Sequence, residues 1–94
     1  MKTIKNEKIL IHNEEKNYCD LIDICVKVTP KEGFDYNLME SISRIDAALK
    51  GQKSKKTVDL EDSDFEFVKS KVLAMQWGVY DEGLFSFVKY IKSI

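Results

Sequence analysis

The chain has one histidine, one proline, four glycines and two cysteines among 94 residues, and no long apolar run. Each scarcity excludes something. With His12 as the sole histidine there is no zinc site of the His-rich type, and Cys19 and Cys25 stand at no standard ligand spacing from it. The two cysteines are six apart, about 240° around a helix, or beyond the roughly 7 Å disulfide reach along a strand. The sequence therefore predicts reduced, partly buried thiols, with no disulfide, metal or cofactor. No glycine-rich phosphate loop exists: Gly33, Gly51, Gly78 and Gly83 are scattered as turn or cap residues. Ser41, Ser43, Ser54, Ser63, Ser70, Ser86 and Ser93 lack a nucleophile-elbow context.

Charge of one sign is missing too. Fifteen basic residues face sixteen acidic ones, for a net charge of -1, which gives no overall attraction to nucleic acid or anionic membrane. The opening stretch "MKTIKNEKILIHNEEK" contains neither the apolar core of a signal peptide nor a membrane anchor, so the expected location is cytoplasmic. One domain accounts for the length, and a chain this short buries only about 60–65% of its unfolded surface.

What is present is mostly architecture. Ile9, Leu10 and Ile11 favour a strand, and the polar "HNEEKN" reads as a turn leading to a return strand near Tyr18. In "YCDLIDICVKVTP" two periods compete. Ile22, Ile24, Val26 and Val28 alternate as in a half-buried strand; Tyr18, Leu21, Ile22, Cys25 and Val28 fit a helical face. β-Branching favours the strand, and Pro30 ends either element.

"GFDYNLMESISRIDAALKG" is a helix. Asp35 is its N-cap, Phe34 and Met39 have hydrophobic-staple spacing, and Leu38, Ile42, Ile45 and Leu49 form one apolar stripe. Glu40–Arg44 and Asp46–Lys50 are i,i+4 pairs, and Gly51 stands where a left-handed cap would end the helix. A lysine loop then leads into a short "TVDL" strand. The following helix carries Phe65, Val68, Val72 and Met75 on its main face, with Phe67, Leu73 and Trp77 off it, the pattern of a central helix. Leu60 and Phe65 repeat the staple. Asp59, Glu61, Asp62 and Asp64 put negative charge at its positive end, without the spacing of a calcium loop.

Trp77 is read as core closing this helix, with Gly78 in the left-handed conformation and Val79 as the apolar residue of a Schellman ending. Asp81 caps a last helix whose face is Leu84, Phe87, Val88, Ile91 and Ile94. The fold class is α+β: a small, mostly helical single domain, residues 1–94, with a short N-terminal β-hairpin and three to four helices.

From "KEGFDYNLMESISRIDAALKG" through "VDLEDSDFEFVKSKVLAMQWGVYDEGLFSFVKYI" the chain resembles small, uncharacterised proteins of tailed phages and prophages. The likeness covers residues 18 to 92 and consists of a "GF" helix start, an "LEDxD" helix start and a C-terminal helix after a tryptophan. It implies more helix over residues 19–28 than the β-branched "IDICVKV" suggests. It also implies a non-catalytic accessory protein, acting in assembly or host interaction by contact with another protein. Phe67, Phe85 and Tyr90, left over beside the two C-terminal helix faces, are the candidate protein interface, a homodimer being its simplest form. The alternative is a small nucleic-acid-binding regulator using the loop of Lys53, Lys55 and Lys56.

Overall fold

The computed structural model describes residues 1–94. Its order is β1 (Lys2–Lys5), β2 (Lys8–Ile11), β3 (Glu14–Asn17), α1 (Tyr18–Val26), α2 (Tyr36–Gln52), β4 (Thr57–Leu60), α3 (Asp62–Ala74) and α4 (Glu82–Ser93). This is the expected α+β domain, with four helices and a β2–β3 hairpin.

The segment with two readings is a helix, not the strand its β-branched residues favour. Asn17 and Asp20 form a capping box at its start: the Asn17 carboxamide accepts from the Asp20 amide at 2.9 Å, and Asp20 accepts from the Asn17 amide at 3.1 Å. Such a cap contributes about 1 kcal/mol, more than the few tenths lost at each β-branched residue. Burial decides the rest. As a helix the segment buries Tyr18, Cys19, Leu21, Ile22, Cys25 and Val26, while Ile24 and Val28 remain exposed. Six of its nine residues are core, so α1, rather than α3, is the most deeply buried helix. Helix α1 packs on α3, α2 and β3.

The hairpin turn is tighter than the polar stretch suggested. Only His12 and Asn13 form it, at φ 50° and 66°, the twist that matches paired antiparallel strands. The return strand is the polar "EEKN", and Tyr18 already belongs to α1.

The "TVDL" strand does not extend this hairpin. It pairs antiparallel with β1, a strand missed at the sequence level, in the register Lys2↔Leu60 to Lys5↔Thr57. Alternation turns Ile4, Val58 and Leu60 inward; on the outer face the Thr3 hydroxyl donates to Asp59 at 2.6 Å. Gln52 ties the end of α2 to this sheet, donating to the Asp59 carbonyl at 3.0 Å and accepting from its amide at 2.8 Å.

Helix ends account for the remaining differences. Asp35 caps α2 by accepting from the Leu38 amide at 2.7 Å, but Gly51 lies inside the last turn and does not end the helix in a left-handed conformation. Ile45 and Leu49 are buried, whereas Phe34 and Met39 remain exposed, so the expected staple shields little. The Leu60–Phe65 staple is fully buried. Of the opposite-charge pairs, Asp46–Lys50 forms at 2.9 Å; Arg44 turns instead to Asp64.

Candidate functional site

Helix α3 ends at Ala74, and the chain leaves it through Met75 in extended backbone. Trp77 therefore sits in the α3–α4 connection and does not close the helix. Gly78 has no positive φ, and no Schellman ending forms. An extended exit carries the chain away from the helix axis, which lets Val79 and Tyr80 lie alongside α4. Asp81 then starts α4, accepting from the Leu84 amide at 3.1 Å.

This path leaves a cleft of about 450 Å³ lined by Trp77, Gly78, Val79, Tyr80, Asp81, Leu84, Phe85 and Val88. Leu84 is its buried floor, and Tyr80 and Phe85 are its rim, 76% and 55% exposed. Their rings stand 6.4 Å apart, tilted at 36°. Trp77 and Val79 are partly buried and pack on the core. The Trp77 indole nitrogen is shut off from solvent and has no hydrogen-bond acceptor, a state that costs roughly 1–3 kcal/mol. Gly83 seats the opposite side of α4: a Cβ there would stand 3.3 Å from the Ile9 Cβ.

Of the three aromatic residues expected at an interface, only Phe85 belongs to this cleft. Phe67 is half-buried on α3 with the Lys71 ammonium 5.5 Å from its ring centre. Tyr90 is drawn inward: its hydroxyl accepts from the Lys5 amide at 3.0 Å, and its ring lies 6.0 Å from that of Tyr18. Trp77, Val79, Tyr80 and Val88 were not expected to line a site. Their signal was apolar Val79 and Tyr80 in an irregular connection where no helix or strand period requires them.

A second concavity, of about 370 Å³, contains no apolar residue and is lined by Asn6, Lys8, Asn17, Lys53, Ser54, Lys55 and Lys56. Asn6 shapes it, donating to the Lys53 and Lys55 carbonyls at 2.9 and 2.8 Å while accepting from the Cys19 amide. Lys53, Lys55 and Lys56 are thus brought together with Lys8. Lys53 pairs with Asp20 at 3.0 Å, and Lys8 with Glu15 at 3.5 Å. Burial alone would raise the Asp20 carboxyl, but hydrogen bonds from Lys53 and the Asn17 amide hold it below its ordinary value. Lys55 and Lys56 form no ion pair.

The remaining chemical candidates lie apart. His12 is exposed at the hairpin tip. Cys19 and Cys25 are buried free thiols, pushed by burial up to about 11 and about 12, so neither is a thiolate near neutrality. No group of three or more His, Cys, Asp or Glu side chains converges as a metal site. The acidic run around the start of α3 disperses: Asp59 meets Thr3, Asp62 meets the Met1 amine, Asp64 meets Arg44, and Glu61 makes no side-chain cap bond. No helix is long and apolar enough to cross a membrane. No family model matches this chain, and no curated protein or solved structure matches it either.

Proposed function

We propose that this protein is a non-catalytic interaction module that takes an apolar segment of another protein into the cleft between the α3–α4 connection and α4. The observation that carries this is the cleft's aromatic rim, with Tyr80 and Phe85 both exposed above a buried floor at Leu84. Its volume falls in the range of about 300–1,000 Å³ usual for pockets that bury a drug-sized ligand, a bulk comparable to a few large side chains. Aromatic residues at the rim of a cleft are the groups that anchor protein interfaces. The unpartnered Trp77 N–H adds polar specificity: a docking segment that parts the rim and supplies a backbone carbonyl would satisfy it. The likeness of residues 18–92 to small phage and prophage proteins fits an accessory role in assembly or host interaction.

Trp77 is the only tryptophan, so its fluorescence reports on occupancy of the cleft. The test is capture of a partner from host or phage-infected cells, followed by titration of the purified partner. Phe85→Asp and Tyr80→Asp are expected to abolish capture without changing thermal melting, and the bound partner to shift Trp77 emission. Capture that survives both substitutions overturns the reading.

The lysine concavity supports a second reading, a nucleic-acid-binding regulator, because Lys55 and Lys56 have no carboxylate partner. Phosphate contacts would impose a salt dependence of about one power of salt concentration per neutralised phosphate. Duplex or single-stranded binding lost in the alanine triple variant of Lys53, Lys55 and Lys56 would favour it over the cleft.

A further inference from the structure

The outer face of α2 has no partner within the chain. At about 100° per residue, Tyr36, Met39, Glu40, Ser43, Asp46, Ala47 and Lys50 fall within about 60° of one line along the helix, opposite the buried Ile45 and Leu49. Like any solvated face it carries charged side chains, here Glu40, Asp46 and Lys50. It also has two large apolar groups, Tyr36 at 73% and Met39 at 52% exposed, followed by two small residues, Ser43 and Ala47. Met39 and Ser43 line two shallow, open depressions, one of about 650 Å³ shared with Tyr36 and Ala47 and one of about 320 Å³ shared with Phe34 and Ile42.

We infer that this face binds a second copy of the same chain, α2 against α2, antiparallel about a twofold axis near Ser43. The order of side chains carries the inference. Tyr36 protrudes from the N-terminal half of the face and Ala47 leaves a depression in the C-terminal half, so an antiparallel twofold sets the one against the other. Helical geometry with the axis at Ser43 lays Tyr36 of one copy over Ala47 and the Lys50 stem of the other, and brings Glu40 beside Arg44 of the second copy.

Charge agrees with shape. Arg44 commits Nε and Nη2 to Asp64, which holds the guanidinium in place and leaves Nη1 for the incoming Glu40. Glu40 itself forms no ion pair within the chain. Antiparallel helices also place opposite dipole ends together. A parallel arrangement would set Tyr36 against Tyr36 and Glu40 against Glu40, losing both complementarities. The inference does not depend on the cleft reading, since α4 packs on α3 and β2 whereas α2 packs on α1 and β4.

Sedimentation velocity of the full chain from micromolar to submillimolar concentration tests it. The wild type is expected to dimerise. Tyr36→Glu and Ala47→Glu should each weaken the dimer at least tenfold with unchanged circular dichroism and melting, while Phe85→Asp leaves it intact. Ser43→Cys should give a covalent dimer under mild oxidation, because the axis brings the two copies of that position together. A wild type that stays monomeric throughout, or a dimer indifferent to both glutamate substitutions, overturns the inference.

Discussion

Arg44 on α2 grips Asp64 in the first turn of α3, Nη2 to Oδ1 at 2.7 Å and Nε at 3.1 Å from both carboxylate oxygens. Asp64 is the one charged residue in the buried set, and Arg44 is its only cation partner. The guanidinium is half exposed, so solvent screens part of the pair's attraction. The two-point geometry still fixes the distance between two helices that both pack on α1.

Arg44→Ala leaves a buried carboxylate without its partner and is expected to lower stability by about 1–3 kcal/mol. Arg44→Lys should recover only part of this, since an ammonium cannot reproduce the fork. Urea unfolding of the two variants measures the difference.

Acid sensitivity should centre on Asp46. Hydrogen bonds from Lys27 and Lys50 hold its carboxyl down to about 2, from an ordinary 3.8. A carboxyl lowered on folding contributes stability above its unfolded value, and loses it as pH falls through the folded value. Asp46→Asn is therefore expected to be less stable than wild type above pH 3.8. The gap should close as pH approaches 2. Denaturant midpoints across that window give the sign directly.

Trp77→Phe is expected to match or slightly exceed wild-type stability, because it deletes the orphaned indole N–H while retaining a ring on the core. Trp77→Ala, which removes the ring as well, should cost about 2–4 kcal/mol. A Phe variant as damaged as the Ala variant in calorimetry would show that the indole nitrogen makes a bond in solution.

The hairpin tip offers a stabilising change. His12 and Asn13 both hold positive φ, which Asn-Gly adopts with less strain than His-Asn. His12→Asn with Asn13→Gly is expected to add roughly 0.5–1 kcal/mol, read as a rise of several degrees in Tm.

How much of this was legible in the chain depends on whether the signal was local. Asp35, Asp81 and the Leu60–Phe65 pair could be placed from neighbours a few residues away, because caps and staples are local chemistry. The stripe of Ile45 and Leu49 needed only a period. Residues 18–26 were not decided by period alone, since both readings bury β-branched residues; the Asn17–Asp20 capping box was the local cue that favours the helix. The strand at Lys2–Lys5 was invisible because its partner lies more than fifty residues away. For the same reason the cleft was read as core. Trp77, Gly78 and Val79 fit a helix ending perfectly well, and only the extended backbone at Met75 shows that the helix stops earlier. Phe85 could be picked out as surplus aromatic surface, but Tyr90 could not be recognised as spent on Lys5 and Tyr18.

The pairing of Lys2 with Leu60 has a consequence in time rather than in space. The β2–β3 hairpin closes over two residues and can form within microseconds, and each helix draws on contacts four residues away. The β1–β4 ladder must instead close a loop containing the hairpin, α1 and α2, at an entropic cost recovered only when Ile4, Val58 and Leu60 are buried together. Its formation belongs late in folding, after α1 and α2 have shortened the span to be crossed. Substitutions at Ile4 should then speed unfolding more than they slow refolding, while those in α1 should do the reverse.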